Sequence, residues 1–174
     1  GAVQVGVNGA LDCAVFNLMG GKVSGGVATD LTAADGKVTY GAGGNFSVHY
    51  GGVLNVSGGV IADGYVASAA AGSNWGGNIR AWNGNVNISG GLIYGGHGGK
   101  QQQGANVSVY STDAERALGR GFLTISGGTI SGGTSNTNGG NVNVSTKNTF
   151  TITGGTITGG YSGDSGGNIV VYGK

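Results

Sequence analysis

The side chains able to do acid–base or ligand chemistry are few and scattered. Seven carboxylates (Asp12, Asp30, Asp35, Asp63, Asp113, Glu115, Asp164), two imidazoles (His49, His97) and one thiol (Cys13) are all that 174 residues supply. Glycoside hydrolysis needs two carboxylates facing each other across roughly 5–10 Å, and zinc needs several convergent ligands. Here every carboxylate falls in a segment read as loop or turn, and the histidines stand apart. Only Asp113, Glu115, Arg116 and Arg120 lie close together. A solvated helical turn accounts for them, since Thr112 and Glu115 have capping-box spacing and Gly119 suits a C-terminal stop. The run Gly95-Gly96-His97-Gly98-Gly99-Lys100 resembles a phosphate loop only superficially, because Tyr94 takes the place of the first glycine and Gln101 that of the magnesium-binding hydroxyl. The expectation is a protein that is not an enzyme, with no cofactor and no metal. Cys13 cannot form an internal disulfide and reads as a small buried hydrophobe.

Binding chemistry is better supplied. His49, Trp82 and Tyr110 each stand just past a pair of alternating apolar residues, in a column that Gly6 precedes and Ser145 and Tyr172 follow. If those segments stack, the three rings share one outer face, where they can hold a sugar ring or a partner's side chain. The alternative is that they only stabilise one another, as cross-strand pairs do at roughly 0.2–1 kcal/mol each. Asn-x-Ser/Thr sequons at Asn45, Asn55, Asn87, Asn106 and Asn143 are candidate glycosylation sites in a eukaryotic secretory pathway.

The elements that must position these residues come from a repeat. Asn45, Asn78, Asn106, Asn141 and Asn168 stand 33, 28, 35 and 27 residues apart, and each opens a short apolar alternation. Aligned on them, Val3, Phe46, Ile79, Val107, Val142 and Ile169 form one column and Val5, Val48, Ala81, Val109, Val144 and Val171 its neighbour. A second segment gives Leu18, Val56, Ile88, Ile125 and Ile152, and a third gives Val23, Ile61, Ile93, Ile130 and Ile157. Two or three alternating β-branched residues are too short for a helix and suit strands. Burying equivalent apolar sets calls for a chain coiled so that like sits on like about 4.8 Å apart. Gly-Gly pairs supply the corners, and the recurring asparagines are read as a structural ladder. The fold class expected is all-β: a single parallel solenoid of about five rungs, three short strands per rung, no evident end caps, and one domain spanning 1–174. The rungs run 1–44, 45–77, 78–105, 106–140 and 141–167, with a partial sixth at 168–174.

The repeated Phe/Leu-x-Ile-Ser/Thr-Gly-Gly-x-Ile-x-Gly-Gly pattern, clearest at 123–133 and 150–160, resembles the right-handed parallel β-helix, pectate-lyase-like superfamily, and within it the Gly-rich adhesin-like repeat proteins. The resemblance implies right-handed coiling and an extracellular, secreted or cell-surface location. It also implies a structural or adhesive role, with carbohydrate binding or polysaccharide cleavage as the other class. The strand faces lack the charged clusters of the family's enzymes.

Composition narrows the partners. Eight Lys plus Arg against seven Asp plus Glu leave no field for nucleic acid, and no apolar run is long enough for membrane insertion. Glycine contributes 43 residues and proline none, without a Gly-X-Y period, which excludes collagen. Thr151, Thr153, Thr156 and Thr158 suit an ice-binding face in one rung only. Because the chain opens on Gly1 and on strand residues and closes on Ile169 to Tyr172, it reads as a processed product with uncapped ends. Val3, Val5, Ile169 and Val171 are then a candidate interface for head-to-tail self-association into a filament or a longer solenoid. Surface glycans are the other candidate partner.

Overall fold

Valine and isoleucine at alternate positions, interrupted by glycine pairs, form strands that pair with strands about thirty residues away rather than with their chain neighbours. The computed structural model describes residues 2–6, 14–39, 41–67, 75–98, 103–145 and 149–172. Cys13, Asp12 and Lys100 lie outside them. Three parallel sheets result. The first has six strands: Val3–Val5, Phe46–His49, Ile79–Trp82, Val107–Tyr110, Val142–Ser145 and Ile169–Val171. The second has seven: Val15–Leu18, Lys22–Ser24, Val53–Val56, Val60–Ala62, Asn85–Tyr94, Leu123–Ser131 and Phe150–Thr158. The third has five: Val27–Thr29, Tyr65–Ala67, His97–Gly98, Thr134–Ser135 and Tyr161–Ser162. A two-stranded antiparallel pair, Leu31–Thr32 with Val38–Thr39, lies off this pattern.

This corrects the expected single right-handed parallel β-helix with three short strands per rung. The architecture is three parallel sheets of five to seven strands, each assembled from strands distant in sequence. Two physical reasons account for the difference. In the last three strands of the second sheet, the glycine pair does not end the strand. The chain runs on through it with a shift of register, as between Ser126 and Thr129, so two expected strands become one bent strand. The third sheet is absent from the expected columns, because strands of two or three residues carrying Thr, His, Tyr and Gly have too little apolar alternation to register. The helical turn does form, as Asp113–Ala117 (α1), with the Thr112 hydroxyl accepting from the Glu115 N–H.

Register within the first sheet is Val3, Phe46, Ile79, Val107, Val142, Ile169 across neighbouring strands. Their side chains meet Leu54, Ile88, Ile93, Leu123, Ile125 and Ile130 of the second sheet in one core, and all the residues of this core outside the terminal strands are almost wholly excluded from water. Each such side chain is worth about 1.5–3 kcal/mol by burial.

Inside runs a line of amides. The Nδ2 of Asn45 donates to Asn78 Oδ1 (2.7 Å), Asn78 to Asn106 (2.7 Å), Asn106 to Asn141 (2.7 Å) and Asn141 to Asn168 (2.9 Å). The second Nδ2 hydrogen of Asn106 goes to the Ser131 carbonyl at the end of the second sheet, and its Oδ1 also accepts from the Gly96 N–H just before the third. One side chain thus ties all three sheets together. It also fixes the neighbouring glycines: a Cβ on Gly96 would lie 2.1 Å from the Ala105 carbonyl and 2.8 Å from Asn106 Oδ1. The left-handed backbone at this corner belongs to the glycine two before each asparagine, as at Gly104 (φ +62°).

Because Asn106 is fully buried and makes four hydrogen bonds while Asn168 is exposed, the ladder should be energetically graded. Asn106→Ala is expected to cost about 3 kcal/mol or more, since it orphans several buried groups at ~1–3 kcal/mol each, and Asn168→Ala to cost under about 1 kcal/mol. Urea denaturation of both variants measures the difference.

Candidate binding site

Strand alternation sends Phe46 and Val48 into the core and Ser47 and His49 to the opposite face. Parallel register then sets His49 beside Trp82, Trp82 beside Tyr110, and Tyr110 beside Ser145. The three rings singled out by spacing therefore share a face. The Trp82 and Tyr110 centroids lie 4.6 Å apart at 38°, within the range of favourable offset ring pairs.

Two further residues complete the cluster. Trp75 stacks on Trp82 at 5.6 Å and 15° and approaches Tyr110 at 5.3 Å. It belongs to a line of parallel bridges, Trp75 to Gln103 to Asn138 to Ser165, running beside the first sheet. Arg80, two residues before Trp82 and on the same strand face, holds its guanidinium carbon 4.7 Å from the Trp82 centroid and 5.5 Å from that of Trp75. Both distances are within cation–π range.

Beside this cluster opens a pocket of about 270 Å³ lined by His49, Tyr50, Arg80 and Trp82. Tyr50 is placed there by strain. The His49 carbonyl accepts from the Gly52 N–H at 2.8 Å, closing a turn in which Tyr50 has φ +37° and Gly51 φ +81°. Positive φ at a bulky residue costs roughly 1–3 kcal/mol. In the next strand the corresponding position is Asn83, which tolerates this backbone better.

The pocket's charge is unbalanced. Burial pulls the Arg80 guanidinium down to about 10, with nearby Tyr50 opposing the shift, so it stays cationic at neutral pH. His49 is pushed below its ordinary value, first by burial and then by the Arg80 charge, and its Nε2 lies 2.7 Å from Ser47 Oγ. Among the described residues, Arg80 has no carboxylate partner. The ion pairs among the described residues, Arg116 with Asp113 and Arg120 with Glu115 (2.6 Å), are confined to α1 and its exit. The Nε of Arg80 and the Nε1 of Trp75 are buried without an acceptor.

The other sequence candidates disperse. Asn45, Asn106 and Asn143 are fully buried, which closes those sequons to a glycan in the folded protein. Asn55 and Asn87 lie on the outer face of the second sheet, where the Asn55 Nδ2 donates to Asn17 and the Asn87 Nδ2 to Asn55. Thr124 and Thr151 continue that column. His97 sits on the third sheet with its ring 4.9 Å from Tyr65. Of the four proposed interface residues, Val5 is buried, Val3 and Ile169 pack against the core, and Val171 is exposed. No group of three His, Cys, Asp or Glu among the described residues could hold a metal ion. Among the described residues, no helix is long and apolar enough to cross a membrane. No family model, curated protein or solved structure matches the chain.

Two outcomes follow. Tyr50→Asn relieves the left-handed strain, so its free energy of unfolding should be unchanged or higher by up to about 1 kcal/mol; a loss above that in urea denaturation contradicts the strained placement. For His49, the folded state binds the proton less tightly than the unfolded chain. Its contribution is constant above the ordinary pKa of 6.5 and turns destabilising as pH falls through it. The unfolding midpoint should therefore drop between about pH 7.5 and about pH 5, and less in His49→Gln than in the parent.

Proposed function

We propose that the protein is an extracellular, non-enzymatic adhesive module that binds saccharide through the outer face of its first sheet. The observation that carries this reading is the cluster of Trp75, Arg80, Trp82 and Tyr110 beside an open pocket. Sugars present apolar C–H faces ringed by hydroxyls, and they suit aromatic walls with a few fixed polar groups. The pocket is slightly below the 300–1,000 Å³ of sites that enclose a whole drug-sized ligand, so it suits one sugar unit of a longer chain that runs on across the strands. Its lining supplies an imidazole, a phenol, a guanidinium and an indole. That set can orient and hold a saccharide but lacks the carboxylate pair that bond cleavage uses. The strands beneath give the rings a fixed spacing, which limits the ordering cost on binding.

A printed array of neutral and acidic oligosaccharides tests the proposal. Binding to at least one class is expected, with affinity reduced about tenfold or more in Trp82→Ala and no shortening of the bound oligosaccharide by mass spectrometry. Absence of binding to every sugar, or turnover of one, contradicts it.

A further inference from the structure

The first sheet carries an outer column of Gln4, Ser47, Arg80, Ser108, Asn143 and Val170, set by register. Arg80 is the one charged member. Its lateral neighbours Ser47 and Ser108 end in short hydroxyls, so neither offers a countercharge. Ser47 Oγ is engaged with His49, and Asn143 Nδ2 donates to Ser108 Oγ at 3.4 Å. No acidic side chain lines the pocket; among the described residues Asp113 and Glu115 pair with arginines, Asp30 accepts from the Gly41 N–H, Asp35 from the Lys37 N–H and Asp164 from the Ser165 hydroxyl. A mostly buried cation ordinarily has an anionic partner, because removing it from water without one is costly. Here two indole rings compensate in part, at about 0.5–2 kcal/mol, and two buried donors of the same cluster, Arg80 Nε and Trp75 Nε1, lack acceptors. Unpaired donors and an unpaired cation, gathered where a pocket opens to solvent, describe a receptor for an acceptor-rich anion.

We propose that the ligand is an acidic saccharide, whose carboxylate or sulfate ester pairs with the Arg80 guanidinium while its ring lies against Trp82 in the pocket lined by His49 and Tyr50. This rests on the saccharide-binding reading above and narrows it to one class. A planar fork of N–H donors matches a carboxylate or sulfate with two parallel hydrogen bonds, a geometry that a lysine ammonium does not offer. The chain as a whole carries a formal charge of only +1, so long-range attraction contributes little and the preference must come from this single local contact.

Isothermal titration with matched trios of oligosaccharides, each a neutral parent with its carboxylated and its 6-O-sulfated counterpart, tests the proposal. The expected result is that at least one acidic form binds about tenfold or more tightly than its neutral parent. Arg80→Gln should abolish that preference, bringing acidic and neutral forms to similar affinities, and Arg80→Lys should keep only part of it. The arm that gains most identifies carboxylate or sulfate as the anion. Equal affinities for neutral and acidic forms, or a preference that persists in Arg80→Gln, overturn the anion assignment and leave saccharide binding standing. An acidic peptide that competes as well as the acidic sugars overturns it too. Binding of no sugar at all overturns the saccharide reading itself. If Arg80→Gln does not fold, as judged by circular dichroism, the comparison of neutral and acidic forms on the unaltered protein still decides.

Discussion

The buried asparagine ladder is the interaction on which the other features depend. A parallel sheet alone fixes spacing in the hydrogen-bonding direction, but it does not hold three sheets at a constant disposition around one core. Each internal asparagine does this locally, donating to the end of the second sheet, accepting from the entry to the third, and bonding the equivalent side chain in the next layer. Such polar groups stabilise only when fully satisfied, because an unpaired amide in the interior costs more than a made hydrogen bond returns. The glycine at the entry to the third sheet follows from this, since a side chain at Gly96 would collide with the ladder oxygen Asn106 Oδ1 and the Ala105 carbonyl.

From that constraint the binding face follows. With the layers locked in register, residues at the same offset from the repeat asparagine become neighbours. His49, Trp82 and Tyr110 then meet although each is about thirty residues from the next, and Arg80 rises beside Trp82 on the same strand face. Tyr50 shows the opposite relation between local and global preference. Its backbone is held against its own conformational preference by the turn around it, as happens where placement of a side chain matters more than local stability.

Much of this was legible from the chain. The apolar columns and the amide ladder could be read because identical residue types recur at equivalent places, and the charged helical turn because capping spacing is local. The third sheet was not legible, since Tyr65–Ala67 and His97–Gly98 carry no sustained alternation. Trp75 and Arg80 were missed for different reasons. Arg80 shares a strand face with Trp82 by the two-residue rule, but its equivalents, Ser47 and Ser108, gave that column no character. Trp75 stands three residues before Asn78, the same offset as Gln103, Asn138 and Ser165 from their own asparagines. That signal was present but masked by dissimilar residue types. The sequons at Asn45, Asn106 and Asn143 misled because the spacing that makes a sequon also fits a ladder amide or, at Asn143, a residue on the strand face away from the core that is nonetheless covered.

Residue-resolved amide hydrogen exchange tests the central claim, that the asparagine ladder is the structural spine. The N–H groups of Gly64, Gly96 and Gly133, each donated to a buried asparagine Oδ1, should exchange only through global unfolding. Gly160, whose acceptor Asn168 is exposed, should exchange through local opening and much faster. Exchange of Gly64 and Gly96 at the rate of Gly160 would contradict the account.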